Sequence, residues 1–464
     1  RPSSSSSTSL VSQTSDDNDD VPSSPRTLVR KISEAFRNAG RKFRSRPGTY
    51  LLIPFIAAFV GWFTNWLAVQ MIFYPVRYRG LDIYRRPEVP LGLLGWQGIV
   101  PCKTRKMSET MVDMVTTQLL DVGEVFRRLD PRRVADLLAP EVPKIAEEVL
   151  EDVFPKWIAD LPGAAMAGLP TDTLTFMGDM NKKFLRGFTR AMQENIDSVL
   201  NLRNCVVDQM MTDRSKLGTL FRKCGQKELD FLTNSGLWFG FLLGLIQMAV
   251  ALFWDNPWSL SFGGLVVGLA TNWLALKWIF EPVNPTRFGP FVLQGMFLKR
   301  QKEVAAEFSK FFAENVLTSE RLWNSILTDP RTTPKFQGLF REHFTNFAMG
   351  IAGTLSVGPA VSDMLDMATT RAMDKLPAHV GVLHEYVDNT LGLRETLRIS
   401  MERMSSVQFE RVLHPIFEED ELTLILAGGV LGFAAGLVQQ GLETGKIQLP
   451  GPGAVVKFAV RLPG

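Results

Sequence analysis

The sequence has few of the residues from which catalytic and metal centres are usually built. Its three cysteines, Cys102, Cys205 and Cys224, show no Cys-x-x-Cys spacing, and its four histidines are His343, His379, His384 and His414. Zinc sites and disulfide frameworks need tighter groupings than these. His379 and His384 lie five residues apart and do not share a helix face. Also missing are the Gly-x-Ser-x-Gly elbow, the His-Glu-x-x-His pair, the P-loop and the Gly-rich dinucleotide fingerprint. A non-enzymatic protein without cofactor or metal is the reading these absences favour. An excess of one charge is lacking too: 51 basic residues face 48 acidic ones. A dedicated nucleic-acid binder usually carries a basic excess, so nucleic acid is not an expected partner.

Charge disappears altogether from long stretches. No charged side chain lies between Arg46 and Arg77, in Gly236–Trp254, or in Leu422–Gly441, and Trp258–Phe280 carries only Lys277. Each run is about 20 residues, enough to cross a hydrocarbon core of roughly 30 Å as a helix. Buried helices of a soluble core average only about 11–12 residues. The sequence therefore predicts an all-α, multi-pass membrane protein with four transmembrane helices.

The runs are organised by repetition. Gly61–Val76 reads GWFTNWLAVQMIFYPV, and Gly268–Val283 reads GLATNWLALKWIFEPV; ten of the sixteen positions are identical. Each copy is followed by Gln-Gly, a basic cluster and an apolar-periodic helix, in which Val304, Phe308, Phe311 and Val316 mark one face of the second copy. Gly236, Gly240 and Gly244 precede Gln247 with the same spacing that Gly428, Gly432 and Gly436 precede Gln439. The pattern predicts a tandem duplication. Unit one covers 49–254, with spans at about 50–74 and 236–254 around an insert at 77–235. Unit two covers 258–445, with spans at about 258–280 and 422–441 around an insert at 284–421. Four crossings put both inserts on one side of the membrane, as two helical lobes packed on each other. The linker Asp255-Asn256-Pro257-Trp258 is expected to turn tightly, and 446–464 forms a tail.

Before the first span, 1–25 is a Ser-rich arm with an acidic end and is expected to be disordered. Residues 26–48 hold eight basic residues and one acid, with Leu28, Val29, Ile32, Phe36 and Phe43 on an apolar side. This composition fits a helix lying on anionic lipid, or an ordinary solvated helix.

Within the spans, glycine every fourth residue clears a face for close backbone contact, which must replace the missing hydrophobic drive in lipid. Gly264 and Gly268 supply that face in the third span, and Ala57 and Gly61 in the first. Such ridges serve either a compact four-helix packing or homo-oligomerisation. Thr64-Asn65 and Thr271-Asn272 are polar pairs in apolar surroundings and need partners. They fit interhelical hydrogen bonds, a polar pathway or ligand site, or a broken helix. Gln247 and Gln439 lie nearer the other membrane face and are not expected to pair with the asparagines. Arg77, Arg79, Lys103 and Arg105 follow the first span; Arg300 and Lys302 follow the third. They are candidates for lipid phosphates or for solvated positive-inside charge. They favour inserts on the cytosolic-type face, whereas the basic segment before the first span favours the opposite.

These phrases carry a resemblance. GWFTNWLAVQMIFYPV followed by QGIVPCKTRK, with the closing GGVLGFAAGLVQQGL, resembles the bacterial YheB-like membrane-protein family (domain of unknown function 445). That family has a Thr-Asn-x-Leu-Ala stretch, a Phe-x-Pro, a Gly-x-Ile-Pro-Lys-Arg and a Gly-rich helix ending in Gln. The chain departs from it at Cys102, and its second copy, QGMFLKRQ, lacks the proline. The family's usual layout has one span at each end, unlike the duplication here. The resemblance implies a membrane protein with inserts inside and no assigned activity. With the Ser-rich arm, it leads to a plastid membrane, thylakoid or inner envelope; mitochondrial inner and plasma membranes are the alternatives. The expected function is a scaffold or subunit organising a membrane or membrane-bound complex, through membrane lipids and protein partners or further copies of the chain. A carrier for lipid or another amphipathic ligand, with a groove between the lobes leading to the Thr-Asn positions, is the alternative.

Overall fold

The computed structural model describes residues 25–81, 88–92, 94–153, 171–254, 256, 258–352 and 359–443. Residues 1–24 and 444–464 and parts of both inserts lie outside them, as do Asp255 and Pro257 of the linker. Among the described residues the chain is almost wholly helical, and four helices are long and apolar enough to cross a membrane.

The first span belongs to the helix Pro47–Phe73 and the third to Ser259–Phe280. The returning spans are longer than their uncharged runs. The second lies in a single helix, Ser215–Phe253, of 39 residues, and the fourth in Ser406–Glu443, of 38 residues. At 1.5 Å per residue each is nearly 60 Å long, about twice a hydrocarbon core. Sequence reading started these helices at the first residue of the apolar run because hydropathy changes there. The backbone does not break there: no proline or cap intervenes between Ser215 and Gly236, and the polar turns continue the helix into the insert.

The spans pack as two antiparallel pairs, first with second and third with fourth, and the third also packs against the first and second. Trp254 and Trp258 are exposed at one end of the bundle, and Tyr74 and Trp278 at the other. Aromatic residues at both ends suit the two membrane–water interfaces. The basic segment forms a helix, Pro25–Ser45, separate from the first span. Its Phe36 ring meets Phe253 edge-on at 5.1 Å, and Lys42 Nζ donates to the Leu252 carbonyl at 3.4 Å. It thus sits against the far end of the second span.

Two short β-elements follow the first and third spans. Arg79–Leu81 pairs antiparallel with Leu94–Trp96, which also pairs with Leu91–Gly92; Thr286–Phe288 pairs with Phe291–Leu293. At two or three residues each, they are too short for a period-two pattern to reveal. Each turns the chain back so that a Gln-Gly pair meets the end of the span. Gln97 Nε2 donates to the Val76 carbonyl at 2.9 Å, and Gln294 Nε2 to the Val283 carbonyl at 3.3 Å. A Cβ on Gly98 would lie 2.7 Å from the Phe73 carbonyl carbon, and one on Gly295 2.6 Å from that of Phe280, so only glycine fits.

The helices of the two inserts pack against each other. Their buried side chains make one core. The helix Thr171–Glu194 packs on Thr333–Ala352, and Glu141–Val153 packs on Pro359–His379. Phe184 and Phe188 interleave with Phe336 and Phe340 of the second insert. In the helix Gln301–Asn315, Val304, Phe308 and Phe311 all point into this core, as their periodicity predicts. Amphipathic faces from both inserts satisfy each other, which two short helical segments could not do alone.

Candidate functional site

The polar residues within the spans are buried and held in place. Asn65 is 0% exposed and Asn272 2%. Asn65 Nδ2 donates to the Leu232 carbonyl on the second span's helix at 2.6 Å; Asn272 Nδ2 donates to the Leu424 carbonyl on the fourth at 2.7 Å. Thr64 Oγ1 donates to the Gly61 carbonyl at 3.1 Å and Thr271 Oγ1 to the Gly268 carbonyl at 3.3 Å, so each hydroxyl is satisfied within its own helix. Both spans continue as helix through these residues. The Asn65 and Asn272 Oδ1 atoms have no partner among the described residues. An unsatisfied buried acceptor costs about 1–3 kcal/mol, which offsets much of what the Nδ2 bond contributes.

The asparagines fit because glycines admit them. Gly61 faces Gly236, and Gly268 faces Gly428; a Cβ at any of the four would overlap the opposing backbone or the asparagine amide. Gly240 lies against the Ala57 carbonyl and Gly244 against Pro54. Gly264 lies against Gly432, and Gly436 against Leu260 and Ser261. The ridges are thus occupied inside this chain, between the helices of each pair. Gln247 Nε2 donates to the Leu260 carbonyl at 3.1 Å, tying the second span to the third; no asparagine is its partner. Gln439 Nε2 has no partner among the described residues, and its neighbour Gln440 accepts from Ser261 Oγ at 2.7 Å instead.

The basic candidates divide. Arg77, Arg79, Arg105 and Lys302 are exposed, and Lys103 is half-buried. Arg300 points inward: its Nη1 reaches both carboxylate oxygens of Glu228, at 2.8 and 2.7 Å, and its Nε reaches Glu303 at 2.9 Å. Glu228 is buried on the second span's helix, one turn before Leu232, so this pair ties that helix to the insert that follows the third span. These contacts raise the Arg300 guanidinium further above its ordinary range, against the opposing effect of burial. Arg300 is therefore committed to a protein carboxylate rather than to a headgroup. Sequence reading missed Glu228, because a lone acid in a polar stretch carries no signal until its helix is known to continue into the span.

The histidines act within the inserts. His379 Nδ1 meets Glu141 Oε2 at 2.7 Å and its Nε2 meets Glu148 Oε1 at 3.2 Å, joining the first insert to the second. The hydrogen bond from His379, then that from Lys144, holds the Glu141 carboxyl below its ordinary range. His384 Nδ1 contacts Ser319 Oγ at 3.1 Å. Burial pushes the Cys205 thiol up to about 11, which makes it a poor nucleophile. No group of three or more metal-ligating side chains occurs among the described residues.

The cavities within the shared core are small. One of about 60 Å³ lies between Phe126, Phe188 and Leu322, and one of about 30 Å³ between Glu228, Leu232 and Phe297. Neither has room for an acyl chain. Another cavity, about 830 Å³, is an open polar trough beside the π-helical turn Val115–Leu119. Its Arg203 is already paired with Glu109 and Asp113. Two further cavities lie along the seam between the first and second spans. No family model matches the chain, and neither the curated proteins nor the solved structures searched include a significant match.

Proposed function

We propose that the protein is a non-enzymatic membrane scaffold built by tandem duplication of a two-span unit. Its insert helices form a platform at one membrane face for protein partners or further copies of the chain. The observation that carries this reading is continuity: the second and fourth spans run unbroken from the bilayer into the shared insert core. In the second span, whose helix holds no proline, a stiff connection fixes the platform's height and orientation. The Arg300–Glu228 pair and the His379 contacts tie the units together above the membrane. A carrier would need a hinge and a passage, yet the positions around Asn65 and Asn272 are filled by packed backbone. The duplication is supported by the paired contacts of the two units: glycine on glycine, asparagine on carbonyl, and glutamine on the end of each span.

On this reading the exposed Arg77, Arg79, Arg105 and Lys302 sit at lipid phosphates and hold the platform against anionic lipid. The resemblance to the YheB-like family and the Ser-rich arm lead us to place the scaffold in a plastid membrane. The test is purification of the full chain in mild detergent, with mass spectrometry of everything retained and a vesicle assay for lipid transfer. A scaffold retains stoichiometric partner proteins or further copies and moves no lipid between vesicles. A solitary chain that does move lipid would replace this reading with the carrier.

A further inference from the structure

The two short β-elements stand at the same place in each half of the chain. The first span, Tyr50–Phe73, has 24 residues and the third, Ser259–Phe280, has 22. At 1.5 Å per residue they are about 36 and 33 Å long, so Phe73 and Phe280 lie at the edge of a hydrocarbon core of roughly 30 Å. The first strand of each element starts six residues further on, at Arg79 (79 − 73) and Thr286 (286 − 280). The last strand returns to the same level, because Gln97 and Gln294 bond the carbonyls of Val76 and Val283 just beyond the spans. Trp96 Nε1 also donates to the Tyr74 carbonyl at 3.2 Å. Both elements are therefore rooted in the polar headgroup layer, which is about 5–7 Å deep on each side of the core.

Their surfaces are not those of turns in water. Leu81 is 59% exposed, Val292 47%, Leu293 41% and Val89 40%. Among the described residues of the inserts, only Met367, Val382 and Val407 are also large, apolar and exposed. The strands pack chiefly on each other. A ribbon of such short strands is marginal in water unless something covers a face. Arg77, Arg79 and Arg287 are exposed as well, with no carboxylate partner among the described residues. The neighbouring acids are Glu88, and Glu281, which Lys277 holds at 3.2 Å. In the second element Leu293 pairs with Thr286 on one face, and Arg287 pairs with Val292 on the other. Lying flat on a leaflet, it turns Leu293 to the acyl chains and Arg287 to the phosphates. In the first element Arg79 and Leu81 share a face, from which the longer arginine reaches back to phosphate. Strand edges keep both elements out of the hydrocarbon, where free N–H and C=O groups find no partner.

We infer that the two β-elements are footings that lie in the headgroup layer of the insert-side leaflet. Their partner is phospholipid: Leu81 and Leu293 reach the acyl boundary, and Arg77, Arg79 and Arg287 bond phosphates. Continuity argues for this occupant, since these surfaces begin where the lipid-facing surface of the spans ends, at the exposed Tyr74 and Trp278. Two footings on different spans set the depth of the bundle and resist its tilt. The inference rests on the reading of Arg77 and Arg79 as phosphate contacts and not on the scaffold itself.

The test uses the full chain carrying Cys102→Ser; Cys205 and Cys224 are buried and take no label. Single cysteines are added as Leu81→Cys, Leu293→Cys, Met367→Cys or Val430→Cys and labelled with nitrobenzoxadiazole. Each protein is reconstituted in vesicles of phosphatidylcholine and phosphatidylglycerol. Emission is quenched by nitroxide lipids, with the nitroxide near the glycerol or near the methyl end, or by iodide in the water. The Leu81 and Leu293 labels should be quenched most by the nitroxide near the glycerol and little by iodide. Val430, in the middle of the fourth span, should be quenched most from the methyl end, and Met367, on an insert helix, by iodide alone. Adding Arg77→Gln and Arg79→Gln should open the Leu81 label to iodide, and an unchanged label overturns the role of the arginines. Hairpin labels that answer to iodide like Met367, or that nothing quenches because protein covers them, overturn the footings while Val430 still reports the membrane. A Val430 label that no lipid quenches would overturn the membrane placement too.

Discussion

In the first pair of spans Gly61 meets Gly236 and Asn65 donates to Leu232; in the last pair Gly268 meets Gly428 and Asn272 donates to Leu424. A few ångströms away the likeness ends. The outer seam of the first pair carries Trp62 and Trp238 where the last pair has Leu269 and Val430, and Lys277 and Glu281, which stand where the first pair has Gln70 and Tyr74, pair with each other at 3.2 Å. Where two helices touch backbone to backbone, a single methyl group cannot be added, and a polar group must find a partner before it enters lipid. Where a side chain faces lipid, any apolar group of any shape is tolerated. Packing therefore holds the two inner seams alike and leaves the outer seams free to acquire different chemistry.

The inner seams should respond alike and strongly. Gly61→Val and Gly268→Val each push a branched side chain into an opposing backbone that has no room to move. Overpacking a tight core costs about 1–3 kcal/mol, and more where backbone is the obstacle. Both variants should lose the monodisperse peak on size exclusion in detergent. A variant of one pair that runs as wild type would show that the two locks are not equivalent.

The next largest effect should separate the units. Arg300→Met leaves Glu228 buried without its cation, and breaking a buried ion pair from one side costs about 3–5 kcal/mol. The double variant Arg300→Met, Glu228→Leu should recover much of this, because it removes the stranded charge as well. Thermal unfolding in detergent checks both. If the single variant is no less stable than the double, the pair does not tie the units together. His379→Ala acts on the same junction higher up, and there acidity is the probe. Glu141 titrates lower in the folded chain than in the unfolded one. Its contribution to stability is thus present above the ordinary carboxylate pKa and is lost as pH falls through the depressed folded value. In the wild type the melting temperature should drop on acidification below the ordinary carboxylate range, and His379→Ala should flatten that dependence.

Much of the bundle was legible in the sequence because its signals are local. Uncharged runs set the number of spans, the four-residue glycine spacing marked the faces in contact, and the repeated Thr-Asn marked polar groups needing partners. The partners were not legible. Asn65 donates to a main-chain carbonyl at Leu232, and every residue type has a carbonyl, so composition could not point to it. Arg300 looked like its basic neighbours because the acid that claims it, Glu228, is 72 residues away in sequence. Which insert helices meet was not legible either, because apolar helix faces do not encode which helix will cover them.

The smallest effect tests the asparagines, the most conspicuous residues of the repeat. Asn65→Leu and Asn272→Leu each remove one interhelical hydrogen bond, worth about 0.6 kcal/mol on average between membrane helices. Leucine keeps asparagine's branching and its number of side-chain heavy atoms, and it also removes the unpartnered Oδ1, so the loss is partly recovered. Each single variant should therefore melt within a few degrees of wild type, and the two shifts should be equal and additive, since the bonds lie in separate pairs of spans. Asn65→Ala and Asn272→Ala, which leave a void beside Gly236 and Gly428, should cost more than the leucine changes. A large shift for only one leucine variant, or a shift that lipid composition controls, would mean that this asparagine's free Oδ1 holds something besides the helix opposite.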